Sequence, residues 1–333
     1  MTKQILIALL ISIGFLNAQD SKYALIIHGG AGNGLVPENY TEAQTAAFHA
    51  GLNRALQRGD SALSAGADAV EVVSLVIQVL ENDSLFNAGK GAVLTYEGKA
   101  SLDASIMDGK SGEAGAVAGI SCIKNPITAA LSVLKHSPHV LLSGEGADQF
   151  AQANGSVCVD PSYFLIPSKL RTIQKIRKQR EALDSAKDHK MGTVGCVVRD
   201  REGNIAAGTS TGGLMAKRYG RIGDSPIIGA GTYANNNSAG ISCTGHGEYF
   251  IRNVIAFQLA NRVALLEESG QESADYMIHD VLSGQKAFGG LIGIDKDGEF
   301  FYSFNTTGML RGFKREGEAA QSFIFSLEIE EDN

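Results

Sequence analysis

His189-Lys-Met-Gly-Thr193-Val-Gly-Cys-Val-Val-Arg-Asp200 is the stretch on which the reading of the fold turns. A small, flexible glycine precedes a threonine that opens an apolar run. If the chain is cut between Gly192 and Thr193, Thr193 becomes an N-terminal residue. Its hydroxyl is then a nucleophile and its own α-amine the base, one of the ways a weak alcohol is activated. Glycine followed by β-branched residues is also how an ordinary strand begins. The surrounding residues must decide between the two.

Upstream, Ser168 to Lys190 carries Lys169, Arg171, Lys175, Arg177, Lys178 and Arg180, then Glu181, Asp184, Lys187, Asp188 and Lys190. Two readings are open, a solvated helix or linker and a polyanion-binding arm. Aromatic residues do not interleave the cations and the run turns mixed, which favours the linker. A charged linker over about 168–192 is what an accessible cut site requires. Downstream the pattern changes to hairpins. Thr193 to Arg199 and Asn204 to Thr209 flank the turn signal Asp200-Arg-Glu-Gly203, and Gly290 to Ile294 and Glu299 to Phe304 flank Asp295-Lys-Asp-Gly298. Between them, Tyr249 to Glu268 and Ala274 to Ser283 read as helices.

In the first half, a strand at Tyr23 to His28 runs into Gly29-Gly30-Ala31-Gly32. Two helices follow, the second over Ala65 to Glu81 with Ala69, Val72, Val73, Val76 and Leu80 on one face. Leu85 to Gly91 is an irregular loop. Strands are expected at Ala92 to Tyr96, Ala100 to Asp108 and Ala116 to Ile123, and a helix from Pro126 to about His136. Strands followed by helices in packed layers imply an α+β chain with two sheets between helices.

Composition narrows the function classes. The chain has 333 residues, a 44% hydrophobic share and a net charge of -7, so a real core is available and no basic field invites nucleic acid. Residues 1–18 read as a signal peptide: Lys3 is the positive start, Ile5 to Leu16 the apolar stretch, Ala18 the small residue at the cut. A permanent anchor or a buried strand is the alternative; the stretch is short for a membrane span. Export, to a periplasm or beyond, is expected. Export would permit disulfides. Yet the spacings of Cys122, Cys158, Cys196 and Cys243 match no metal or redox motif, and mostly free thiols are expected. The seven His lack metal-site companions.

Three glycine-rich clusters follow Thr193: Thr209-Ser-Thr211-Gly-Gly213, Gly220-Arg221-Ile-Gly223-Asp224-Ser-Pro226 and Ser242-Cys-Thr244-Gly245-His-Gly247-Glu248. Singly, each reads as a turn, and Arg221 and Asp224 could pair with one another. In order with His28-Gly-Gly-Ala-Gly32, Leu85-Phe-Asn-Ala-Gly89, Leu102-Asp-Ala-Ser-Ile-Met-Asp-Gly109 and Gly192-Thr-Val-Gly195, they resemble the plant-type asparaginase and isoaspartyl peptidase family from about Tyr23 to Phe313. Members are threonine hydrolases of the N-terminal nucleophile class.

The resemblance implies a four-layer αββα sandwich and a self-cleaving chain, with an α subunit over 19–192 and a β subunit over 193–333. Thr193 would attack the Gly192 carbonyl in the precursor and a side-chain amide in the mature enzyme. Thr211 would tune the nucleophile, and Asn87 would support it. The Thr244 hydroxyl and Gly245 N–H would form the oxyanion hole. Arg221 would hold the substrate α-carboxylate, and Asp224, helped by the Gly247 carbonyl, the α-ammonium. That pair suits an aspartyl substrate, which carries a carboxylate and an ammonium on one carbon.

The same resemblance implies β-aspartyl dipeptides and L-asparagine as small-molecule substrates, no catalytic cofactor, no nucleic acid and no membrane once the leader is gone. It also implies a dimer of αβ units, and a structural sodium held by backbone carbonyls of Leu80, Glu81, Asp83, Phe86, Ala88 and Lys90. Four rival readings fit the residues less well. The glycosylasparaginase branch shows Asp before its nucleophile and an early Trp, against Gly192 and no Trp here. The taspase-like endopeptidase branch carries longer insertions. An inactive secreted binding module would have little use for Thr193, Thr211, Arg221, Asp224 and Thr244. A nucleotide site at Asn87-Ala-Gly-Lys90-Gly91 lacks the Ser or Thr after its lysine and the upstream glycine.

Overall fold

The structure, a computed structural model, describes residues 22–182 and 192–326. The expected leader over 1–18 and the linker residues 183–191 lie outside the described residues.

Alternation along the first strand shows how the layers stack. In β1 (Ala24–Ala31), Leu25 and Ile27 enter one hydrophobic cluster, while Ala24 and Ile26 enter another. Successive strand side chains point to opposite faces, so β1 is covered on both sides. The first cluster is closed by α1 (Glu42–Ser64) and α2 (Ala69–Glu81), through residues such as Leu52, Leu56, Val72 and Ile77. The second cluster meets another sheet.

The first sheet takes in β2 (Leu102–Asp108), β3 (Ala114–Ile120) and β4 (Leu141–Ser143), with α3 (Pro126–His136) and α4 (Gly144–Ala153) packed beside them. The next helix, α5 (Pro167–Ala182), leads towards the undescribed linker. Beyond it lie β5 (Val194–Arg199) and β6 (Ile205–Thr211), then β7 (Thr232–Ala234) and β8 (Ala239–Gly245). The helices α6 (Gly247–Asn253), α7 (Ile255–Leu265) and α8 (Gly270–Asp275) follow, with a π-helical turn over Tyr276–Leu282. The last strands are β9 (Gly289–Asp295), β10 (Phe300–Phe304), β11 (Gly308–Arg315) and β12 (Gln321–Phe325).

One sheet has eight strands in the order β12-β11-β1-β5-β6-β2-β3-β4; the other has four, β10-β9-β8-β7. Ile26, Val197, Ile205, Ile292 and Ile294 fill the space between them. Ile241, Cys243 and Leu291 face outward from the smaller sheet onto Leu259, Ala274 and Ile278. The four layers are therefore helix, sheet, sheet, helix, an αββα sandwich of the α+β class.

Several expected elements differ. Ala92 to Tyr96 is not a strand, because its backbone is engaged elsewhere: Val93 N–H donates to Asn87 Oδ1, Tyr96 N–H to the Lys217 carbonyl, and Ala216 N–H to the Leu94 carbonyl. The helix expected from Ala65 starts at Ala69, since Gly66 takes a φ of +84° and ends the preceding helix. The helix expected over Tyr249 to Glu268 breaks at Val254, whose φ is +46°. The charged run upstream of Gly192 is helical as far as Ala182. Cys122 and Cys158 form a disulfide, which corrects the expectation of mostly free thiols; an antiparallel bridge between Ile123 and Cys158 brings them together. Cys196 and Cys243 are free and buried.

Candidate active site

Thr193 stands one residue before β5, a strand flanked by β1 and β6, and is buried. The end of β1 makes room for it. Gly30 has a φ of +109°, and a Cβ there would lie 2.5 Å from Gly192 Cα, so the turn after His28 accepts only glycine. The Thr193 hydroxyl lies 3.1 Å from the Thr211 hydroxyl at the end of β6. Gly213 N–H donates to Thr211 Oγ1 at 2.9 Å, which occupies one of that oxygen's two acceptor sites and holds the hydroxyl beside Thr193.

Asn87 is spent entirely on this corner. Its Nδ2 donates to the Gly192 carbonyl and, at 2.9 Å, to the Gly213 carbonyl, while its Oδ1 accepts from Val93 N–H at 2.8 Å. The carbonyl that precedes Thr193 is therefore polarised by an amide held from three sides. Its position comes from the irregular loop that follows α2.

The other half of the site is unfinished. Thr244, on β8, is fully buried, and among the described residues its Oγ1 has no hydrogen-bond partner. Asp224 is likewise buried with Oδ2 unpartnered. Loss of water pushes its carboxyl up to about 7. Arg221 and Asp224 do not pair with each other. The Arg221 guanidinium instead forks onto Glu248, Nε to Oε1 at 2.9 Å and Nη2 to Oε2 at 3.0 Å. Gly247 packs between the two: a Cβ there would meet Asp224 Oδ1 at 2.7 Å and Arg221 Nη2 at 2.9 Å. The segment Thr244-Gly245-His246-Gly247 thus joins the unpartnered hydroxyl to the charged corner.

Some participants were not legible in the sequence. Lys217 and Asp103 form a buried ion pair at 3.4 Å beside Gly213. Burial pushes the Asp103 carboxyl up and the Lys217 ammonium down, and each pulls the other back towards its charged form. Glu81 is fully buried, its Oε1 accepting from Ile127 N–H at 2.9 Å and Ser210 Oγ at 2.7 Å; burial raises it to about 8. Glu248 and His28 each lie inside a recognisable motif, but a motif does not show which distant group a side chain meets. Among the described residues, no group of three His, Cys, Asp or Glu could hold a metal ion.

A sandwich of this kind, with the residue that heads a central strand placed against a second hydroxyl, is the fold of the N-terminal nucleophile hydrolases. Its corner brings one guanidinium and one buried carboxyl together around Gly247. The chain belongs to the asparaginase family, which it matches over residues 21–324. It is 41% identical over 317 residues to the isoaspartyl peptidase of Salmonella typhimurium, covering 92% of this chain and 99% of that protein. The isoaspartyl peptidase of Escherichia coli is also 41% identical, over 313 residues, 91% of this chain and 96% of that one. The human isoaspartyl peptidase/L-asparaginase is 37% identical over 297 residues, 88% and 94% of the two chains.

Proposed function

We propose that this chain is a self-cleaving β-aspartyl peptidase that also hydrolyses L-asparagine, with Thr193 as nucleophile. The observation that carries this is the Gly192–Thr193 junction: a hydroxyl hydrogen-bonded to Thr211 follows directly on a carbonyl that accepts from Asn87. In the precursor, Thr193 Oγ attacks the Gly192 carbonyl carbon and the Asn87 amide stabilises the oxyanion. The C–N bond breaks as the hydroxyl proton passes to the Thr193 nitrogen, leaving an ester and a free α-amine; water then hydrolyses the ester, releasing Gly192 as a carboxylate and restoring the Thr193 hydroxyl.

In the mature site the same Oγ attacks the side-chain amide carbon of the substrate, and the α-amine takes its proton. Thr244 Oγ1–H and Gly245 N–H stabilise the tetrahedral oxyanion; a transition-state oxygen is the partner that the buried Thr244 hydroxyl lacks among the described residues. The proton passes to the leaving amine, and water releases aspartate from the ester. Arg221 takes the α-carboxylate in competition with Glu248, and the α-ammonium neutralises Asp224.

Intact-mass measurement with N-terminal sequencing tests the reading. Two chains, one beginning Thr-Val-Gly-Cys, are expected from the wild type. Thr193→Ala should give a single uncut chain with activity down about 10⁴-fold or more. A cut, active Thr193→Ala protein would sink the assignment.

The Leu80 to Lys90 loop fits a hard cation. A Cβ on Gly91 would lie 2.0 Å from the Phe86 carbonyl oxygen and 2.8 Å from that of Ser84, so carbonyls crowd this turn. The carbonyls of Leu80, Glu81, Asp83, Phe86, Ala88 and Lys90 would hold sodium and thereby steady Asn87. Replacing sodium by a bulky organic cation should lower the melting temperature. We read residues 1–18 as a leader, with export favoured by the Cys122–Cys158 disulfide. A dimer of αβ units is our reading of the assembly, checked by sedimentation.

A further inference from the structure

A line of buried hydroxyls runs from beneath the nucleophile into the space between the two sheets. His28 Nδ1 lies 2.9 Å from the Thr193 carbonyl oxygen, and His28 Nε2 lies 3.0 Å from Ser242 Oγ. Ser242 Oγ is 2.7 Å from Thr209 Oγ1, and Thr232 Oγ1 donates to Thr209 Oγ1 at 2.6 Å. Ser105 Oγ then reaches Thr232 Oγ1 at 2.8 Å and the Ser225 carbonyl at 2.6 Å. All five side chains are fully buried. His28, Thr209 and Ser105 belong to β1, β6 and β2 of the larger sheet; Ser242 and Thr232 belong to β8 and β7 of the smaller. The line bolts the two sheets together under Thr193.

Its direction follows from the acceptor at its end. A backbone carbonyl only accepts, so His28 carries its proton on Nδ1 and offers Nε2 as an acceptor. Burial keeps the ring neutral, pushing it down to about 3. Ser242 therefore donates to His28. With that proton committed, Thr209 donates to Ser242; the competing Gly231 carbonyl is farther away, at 3.2 Å. Ser242, Thr209 and Thr232 each point towards Thr193, while Ser105 gives its proton to the Ser225 carbonyl at the far end, and bonds aligned in this way polarise one another. Gly195 is small for the same reason: a Cβ there would lie 2.0 Å from Ser242 Oγ and 2.3 Å from His28 Nε2.

We infer that His28 is a positioning residue: together with Ser242 it holds the Thr193 backbone in place, so that the nucleophile stays put once it begins a new chain. This rests on Thr193 being the nucleophile. A new chain end frays unless something ties it down, and the Thr193 carbonyl is tied to the interior by this bond. The line comes near Asp224 only at its far end, where Ser105 meets the Ser225 carbonyl, whereas His28 meets Thr193 and Ser242, so loss of His28 should act on turnover and not on substrate binding.

The test uses two replacements in the full-length protein. His28→Asn keeps an amide donor near the Nδ1 position, whereas His28→Gln reaches only towards Ser242. With a β-aspartyl dipeptide, and per mole of cut chain, His28→Gln should lose about tenfold or more in kcat, since small misplacements of reacting groups cost this much. His28→Asn should keep most of it, and KM should stay unchanged in both. If a variant remains uncut, the rate of self-cleavage is read instead and must show the same order, Asn ahead of Gln.

Gln equal to or ahead of Asn, or kcat and KM shifting together, overturns the proposal. Should neither variant fold, Ser242→Ala serves: several-fold lower kcat at constant KM supports it, and unchanged kcat refutes it. Thr193→Ala run alongside separates the two levels. An active Thr193→Ala enzyme discards the nucleophile itself, whereas an inactive one leaves the order of the His28 variants to decide whether His28 positions it.

Discussion

The two halves of the site are built in opposite ways. Around Thr193, hydrogen-bonding groups already have partners within the protein: Asn87 makes three bonds, Thr211 two, and the Thr193 carbonyl is held by His28. Around Asp224, they do not: among the described residues Asp224 Oδ2 and Thr244 Oγ1 are buried without partners, and Arg221 is occupied by a half-exposed glutamate. A finished region holds geometry without help from a ligand. An unfinished one keeps its free energy for what arrives, because buried polar groups without partners are costly until they are matched. The first half should govern self-cleavage and the placement of the nucleophile, and the second what the substrate brings, its charged groups at Arg221 and Asp224 and its developing oxyanion at Thr244.

The sharpest way to break that division is Thr244→Val, which removes the one unpartnered group assigned to the transition state. A drop of about 10²–10³ in kcat is expected at little change in KM. Steady-state kinetics showing KM rising with kcat intact would move Thr244 to the recognition side. Arg221→Ala should do the converse, raising KM about 10²-fold while mass spectrometry still finds the chain cut, since the precursor offers no substrate carboxylate. An uncut Arg221→Ala chain would show that the halves are not separable.

A gentler probe is pH. Asp224 must be ionised to take an ammonium, and burial places its titration at about 7 in the empty site. KM should therefore rise about tenfold per unit as pH falls below that value. A KM constant from pH 8 to 5 would mean that another group holds the ammonium.

The smallest effect concerns stability. The folded-state pKa of Asp224 is raised above its unfolded value, so the native state binds the proton more tightly. Stability is accordingly lost as pH rises from about 4 to about 7, with the penalty constant above that. Asp224→Asn avoids the penalty and should melt a few degrees higher than wild type at pH 8. The gap should close towards pH 4; a lower melting temperature at pH 8 would contradict the desolvation argument.

Local signals were readable and long-range ones were not. Pro126 set the start of α3, and Pro126–His136 is where the helix lies, because proline at a first helical position is a purely local cue. The β5–β6 hairpin was equally plain around Asp200 to Gly203. Ala92 to Tyr96 reads as a strand from its own residues but gives its hydrogen bonds to Asn87 and Lys217, which no local pattern reveals. Val254 breaks a helix with a positive φ that a β-branched residue would not advertise. The Cys122–Cys158 pair spans 36 residues. Within the site, the glycine-rich clusters marked Thr193, Thr211, Arg221, Asp224 and Thr244, while partners such as Glu248, 27 residues from Arg221, and His28, 165 from Thr193, became visible only when folded.

The strand order has a further consequence. A cut before Thr193 places β1 to β4 on one polypeptide and β5 to β12 on the other, yet β1 lies hydrogen-bonded between β11 and β5, and β2 beside β6. The two products are laced through each other. Neither can leave without dismantling the eight-stranded sheet, so the cut molecule persists by kinetic barrier. Its assembly is also history-dependent: the precursor folds as one chain in a unimolecular step, whereas the processed pair, once melted, must find each other again at a rate set by concentration. Such a cut would thus turn a unimolecular folding step into a concentration-dependent one.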